Sequence, residues 1–127
     1  MQKQLNAVKQ FHEIYKIGYS QIHKASLVEN KNQLRYNLMK EENEEYLQAV
    51  QDNDLVEIAD ALGDMLYILC GTIIEHGLQD RIEAVFDEIQ RSNMSKLGEN
   101  GDPIYREDGK VIKGPHYFKP NIQSILK

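Results

Sequence analysis

The segment Met65-Leu66-Tyr67-Ile68-Leu69-Cys70-Gly71-Thr72-Ile73-Ile74 limits the folds open to this chain more than any other stretch. It belongs to a run from Leu55 to His76 with the pattern of a long helix, opened by Asp54 as N-cap and closed by Gly77. Its second half is apolar on nearly every side, so it must be covered all round, in a bundle centre or a contact between subunits. At 127 residues the chain can bury one core but offers too little surface to wrap such a helix completely. The expectation is one all-α domain over 1–127, a bundle of four to five helices completed by oligomerisation as a homodimer or a dimer of dimers.

The neighbouring segments fit that bundle. Leu5, Val8, Phe11, Ile14 and Tyr15 recur at helical spacing and predict a helix over Leu5 to Tyr19, with Gly18 as its stop. Residues 20 to 30 read as a connection. Leu34, Leu38, Met39, Tyr46, Leu47 and Val50 predict a second helix from about Lys31 to Gln51, and Asp52-Asn53-Asp54 a turn into the long third one. Asp80 is placed to cap a fourth helix carrying Ile82, Val85, Phe86, Ile89 and Met94. Gly and Pro concentrate after Lys96, and Asp108-Gly109 between Ile104-Tyr105 and Val111-Ile112 predicts a tight hairpin. Residues 97–120 are therefore expected to form a loop or hairpin flap, with a short last helix over Asn121 to Lys127.

Charge is distributed unevenly. The formal charge is −5, from 15 Lys+Arg and 20 Asp+Glu. Nine of the acids (Glu41, Glu42, Glu44, Glu45, Asp52, Asp54, Glu57, Asp60 and Asp64) fall in a window free of Lys, Arg and His, leaving a remainder of +4. Tyr46, Leu47, Val50, Leu55, Ile58 and Leu62 interrupt the block, so it is not a disordered acidic tail. An acidic chain without a basic patch is not expected to bind nucleic acid. No apolar run reaches the roughly 20 residues of a membrane span, and the first residues show no export signal. The single cysteine, Cys70, cannot form an internal disulfide, so the cytoplasm is the expected location.

Two consecutive helices joined by a short turn run antiparallel and adjacent. Glu41, Glu42 and Glu45 share about a 100° arc of the second helix. Glu57, Asp60 and Asp64 form a narrower stripe on the third. Both clusters flank inward-facing apolar residues and can lie level across the pair. Converging carboxylates repel unless protons or cations neutralise them. Oxygen ligands without nearby His or Cys suit Mg²⁺ or Mn²⁺ rather than Zn²⁺. Such ions could bind a polyphosphate and lower the pKa of an attacking water. The plainer reading is a solvated acidic face, but surface helices normally interleave opposite charges, and here there are none. A di-iron bundle would need Glu three residues before a His, and none of His12, His23, His76 or His116 has one.

Glu-Glu-x-x-Glu at Glu41, Glu42 and Glu45, followed by Asp64-Met65-Leu66-Tyr67, resembles the all-α nucleoside triphosphate pyrophosphatases: MazG-like proteins, dimeric dUTPases and phosphoribosyl-ATP pyrophosphohydrolases. The likeness continues through Gly71-Thr72, His76-Gly77, Phe86-Asp87-Glu88-Ile89, Arg91-Ser92-Asn93-Met94-Ser95-Lys96, Asp108-Gly109-Lys110 and Lys113-Gly114-Pro115. It covers most of residues 27 to 122, and its tail is similar to the MazG-like and dUTPase-like branch. The resemblance implies a helical bundle completed by dimerisation. It also implies Mg²⁺-dependent hydrolysis of a nucleoside triphosphate between the α and β phosphates, giving a monophosphate and pyrophosphate, as in nucleotide-pool house-cleaning of dUTP or a non-standard nucleotide.

By the same resemblance Glu42, Glu45 and Asp64 are metal ligands, and Glu41 is a further ligand or the residue that orients the water. Asn93 and Lys96 contact phosphate or sugar, with Lys110 and Lys113 as further contacts on the flap. One position departs from the family pattern. Ala61 stands where a Glu is usual, three residues before Asp64. Asp60 is the expected substitute ligand, and Glu57 a lesser candidate. The departure supports an alternative: a catalytically weak or inactive nucleotide- or metal-binding module of the same fold.

Overall fold

The computed structural model describes residues 1–127 and contains five helices. They are α1 (Gln2–Ile14), α2 (Lys31–Gln51), α3 (Leu55–Glu75), α4 (Ile82–Met94) and α5 (Ile122–Leu126). The chain forms two compact units, Met1–Asp80 and Arg81–Lys127. No helix is long and apolar enough to cross a membrane.

In the first unit α2 and α3 are joined by a tight turn. Asp54 N donates to Ala49 O at 3.0 Å, and Asn53 takes a positive φ of 52°. The Asp54 carboxylate then caps α3 by accepting from Glu57 N at 3.1 Å, satisfying one of the free amides at the helix start. Further along the pair, Lys31 Nζ meets Glu75 Oε1 at 2.9 Å, and Arg35 donates to Thr72 Oγ1 at 3.1 Å and to Ile68 O at 2.8 Å. These bonds fix the antiparallel register. Arg35 also lies 3.2 Å from Glu75 Oε2. Arg35 and Glu75 are both buried, so this is a charge cluster held inside the helix packing.

Helix α1 packs on α3, burying Leu5 and Val8 with Ile73 and Ile74. The spacing predicts α1 as far as Tyr19, but it ends at Ile14. Lys16 enters the left-handed region at φ 57°, and the His12 ring, itself buried, bonds Gly18 O at 2.8 Å. That early stop lets residues 15–30 turn back as a strap over the end of α3. Ser20 N donates to Ile74 O at 3.0 Å, and Lys24 N to His76 O at 3.1 Å. Gly77, at φ 71°, is needed there because any β-carbon would run into the Ile22 carbonyl oxygen. The second half of α3 is covered on one side only. Cys70, Gly71, Ile73 and Ile74 are buried, whereas Leu62, Leu66 and Leu69 remain 48%, 41% and 44% exposed.

In the second unit Arg81, not Asp80, holds the N-cap position of α4. The helix begins after a turn that already includes Asp80. The expected hairpin is present. Tyr105 pairs with Val111, Ile112 N donates to Ile104 O at 2.9 Å, and Gly109 turns the chain at φ 87°. An Arg106–Asp108 ion pair braces the turn. Asn121 caps α5 by accepting from Ser124 N at 3.3 Å, and its own N–H donates to Glu88 Oε1 of α4 at 2.9 Å.

Candidate metal and nucleotide site

The α2–α3 register decides which acids meet. Arg35 is level with Ile68 and Thr72. Two turns later on α2, Glu42 and Glu45 therefore come level with residues about two turns earlier on α3. These are Asp64, Ala61 and Asp60. The Glu42 carboxyl is pushed up to about 7, first by its removal from solvent, then by the hydrogen bond and charge of Glu45, then by the charges of Asp64 and Asp60. Its Oε2 is buried and has no hydrogen-bond partner. So three of the predicted ligands, Glu45, Asp60 and Asp64, act on the fourth, Glu42.

The remaining acids stand apart from that group. Glu41 is exposed and contributes nothing to the shift of Glu42. Glu57 is exposed as well, and its backbone amide is engaged by the Asp54 cap. Ala61 is buried. Asp60, one position earlier, is exposed and supplies the carboxylate on this part of α3.

The acids are near but not gathered. No group of three or more His, Cys, Asp or Glu side chains is close enough together to hold a metal ion as placed. The donor set nevertheless fits a hard divalent cation. A buried carboxylate oxygen lacks any partner from the protein. The surrounding groups are carboxylates, the hard oxygen donors such an ion prefers.

The other predicted site residues lie in the second unit. Asn93 and Lys96 line a cavity of about 380 Å³ with Met94, Leu97, Pro103 and Val111. Lys110 sits in the hairpin turn, with its backbone N–H bonded to Asp108 Oδ1 at 3.1 Å. The Lys113 ammonium lies 4.8 Å from the centre of the Tyr117 ring. Asp108-Gly109 is thus a turn, as its sequence indicates.

Two features of the first unit escape the sequence pattern. One is the Lys31–Arg35–Glu75 cluster, whose only signal is two cations spaced i, i+4 far along the chain from their acid. The other is a group of rings: Phe11 and Tyr67 meet edge to face at 5.6 Å, and Tyr15 lies 4.5 Å from Phe11.

Acids on two adjacent antiparallel helices of an all-α bundle are the arrangement that the resemblance to the nucleoside triphosphate pyrophosphatases implies. The sequence profile described as phosphoribosyl-ATP pyrophosphohydrolase (PRA-PH) matches residues 8–93, and the chain belongs to that family. Among solved structures it is similar to a protein from Exiguobacterium sp. 255-15 that is provisionally named an NTP pyrophosphohydrolase. The two share 25% identity and a TM-score of 0.52, over 97% of this chain and 93% of that one. No curated protein matches the chain significantly. Family and neighbour together support a pyrophosphohydrolase that acts on a nucleotide.

Proposed function

We propose that the chain is a Mg²⁺-dependent nucleoside triphosphate pyrophosphohydrolase, with Mn²⁺ as a substitute ion, that cleaves between the α and β phosphates of a (deoxy)nucleotide. A nucleotide-pool role follows, with dUTP or a non-standard triphosphate as substrate, in the cytoplasm and as a homodimer or dimer of dimers. The observation that carries this reading is the unpartnered, buried Glu42 oxygen among three further carboxylates. Glu42, Glu45, Asp60 and Asp64 are the residues that would hold the ion. When bound, the ion would supply charge neutralisation and Lewis acidity to the polyphosphate. Glu41, exposed beside Glu42, is the further ligand or the residue that orients the attacking water. Asn93, Lys96, Lys110 and Lys113 are kept as substrate contacts on the strength of the resemblance, each testable by its own substitution.

A second reading has one observation in its favour. Buried Ala61 stands at a position where the family usually has a ligand, and this suits a nucleotide- or metal-binding module without turnover. A screen of common and deoxynucleoside triphosphates with Mg²⁺ or Mn²⁺, read as pyrophosphate release, separates the two. The enzyme reading expects monophosphate and pyrophosphate, abolished by a chelator. It also expects Glu42→Gln and Asp64→Asn to fold normally and to lose activity by about 100-fold or more. Full activity in both variants would remove these residues from the site. Metal-dependent nucleotide binding without pyrophosphate would favour the module.

A further inference from the structure

We infer that Arg35 is a positioning residue for the metal site: its guanidinium pins α2 to α3 in the register that brings Glu42 to Asp64. The inference rests on the metal-site reading above and names the residue that holds that site in alignment.

Arg35 is buried and grips α3 at two heights. Nη2 donates to Ile68 O at 2.8 Å, and Nε donates to Thr72 Oγ1 at 3.1 Å. Ile68 and Thr72 are one turn apart, about 6 Å along the axis. They are also tied to each other, because Thr72 Oγ1 donates to Ile68 O at 2.9 Å. A rigid, planar fork fastened at two heights resists both sliding and rotation of one helix on the other. Lys31 holds Glu75 from a partly exposed position and braces only one point.

The pin and the acids lie on the same faces. Glu42 follows Arg35 by seven residues, which is about 10.5 Å along α2 and within about 20° of the same direction. On the antiparallel helix Asp64 precedes Ile68 by four residues and Thr72 by eight. The step from pin to acid is therefore matched on the two helices. Polar side chains elsewhere on α2 pair along their own helix, Gln33 with Asn37 and Lys40 with Glu44, and set no alignment with α3. A slip of one residue would move each carboxylate by about 1.5 Å, whereas a metal site tolerates about 0.2 Å in its ligand distances. A buried pair such as Arg35–Glu75 adds little stability over apolar side chains of the same shape. Its contribution here is alignment.

Calorimetric Mg²⁺ titration of the full-length protein without nucleotide, with thermal melts alongside, tests the pin. Arg35→Lys keeps a charge beside Glu75, but one ammonium cannot bridge Ile68 and Thr72, so Kd for Mg²⁺ should rise about tenfold. Arg35→Met combined with Glu75→Gln removes both charges together. It should melt close to the unmodified protein and still bind Mg²⁺ about tenfold more weakly. Ile74→Val loosens the core without touching the pin and should leave the affinity unchanged. Unchanged affinity in Arg35→Lys overturns the inference. An equal loss in Ile74→Val does so too, because affinity would then follow stability alone. So does an unmodified protein that binds no Mg²⁺. If Arg35→Lys fails to fold, the double variant decides, and if neither folds, Arg35 is a structural residue only and the inference falls. Arg35-dependent Mg²⁺ binding with no turnover of any triphosphate would keep the pin and remove the hydrolase reading. Turnover with an affinity indifferent to Arg35 would do the reverse.

Discussion

A β-carbon at Gly71 would stand 2.6 Å from Nη2 of Arg35 and 2.8 Å from Nε2 of His12. The guanidinium and the imidazole cross α3 over this glycine, and neither can swing away. Arg35 bonds Thr72 and Ile68, and His12 bonds Gly18.

Gly71→Ala should therefore destabilise the protein by about 2 kcal/mol through overpacking, although Ala is the better helix former. Gly63, on the same helix, has nothing within 4 Å of its added carbon. Gly63→Ala should stabilise by about 0.5–1 kcal/mol. Urea unfolding of both variants checks the pair. Equal effects of the same sign would contradict it.

Glu75 is the buried anion between two cations. Glu75→Ala leaves Arg35 enclosed without its counter-charge and should cost about 3 kcal/mol or more. Lys31, whose side chain is 31% exposed, can rehydrate its partner's site when removed. Lys31→Ala should cost clearly less. Denaturant midpoints for the two variants give the order directly.

Glu42 sets a pH dependence whose sign differs with and without metal. Its carboxyl is raised from the ordinary 4.5 to about 7 in the folded protein, so the native state holds a proton that the unfolded chain has lost. Without metal, its contribution to stability is greatest below about 4.5, falls as pH rises to about 7, and levels off above that. A bound cation must displace the same proton. Mg²⁺ affinity should thus rise about tenfold between one pH unit below and one above the Glu42 value of about 7, and Glu42→Gln should flatten that rise. Calorimetric Mg²⁺ titrations at both pH values, and melts with a chelator present, measure the two signs.

Leu62, Leu66 and Leu69 lie at i, i+4 and i+7 on α3, and all three are exposed within the chain. If this stripe meets a second copy, Leu66→Glu or Leu69→Glu should turn the assembly into monomers, read as a halved mass by light scattering. An unchanged mass for both would place any subunit contact elsewhere.

The helices were legible because their signals are local. Asp54 caps α3, Gly77 ends it, and Asp108-Gly109 turns the hairpin, each by the backbone preference of its own residues. The misplaced boundaries were those set from a distance. α1 stops at Ile14 because His12 is held by Gly18 and the strap must reach back to α3. Asp80 has the chemistry of a cap but falls in the turn before α4, which starts after Arg81. The expectation that the apolar half of α3 is enclosed holds within the chain on one side only.

The candidate site divides in the same way. The sequence by itself determined that acids cluster on two adjacent helices, since periodicity places side chains on faces and a short turn makes neighbours of those faces. Only the tertiary structure decided which acids interact. The register is fixed by buried bonds among Lys31, Arg35, Thr72 and Glu75, partners far apart in sequence. That register brings Asp60 into the group around Glu42, to which Glu41 does not belong. It also leaves one Glu42 oxygen buried without a partner. Burial and long-range pairing are properties of packed surfaces, and no local pattern in the sequence carries them.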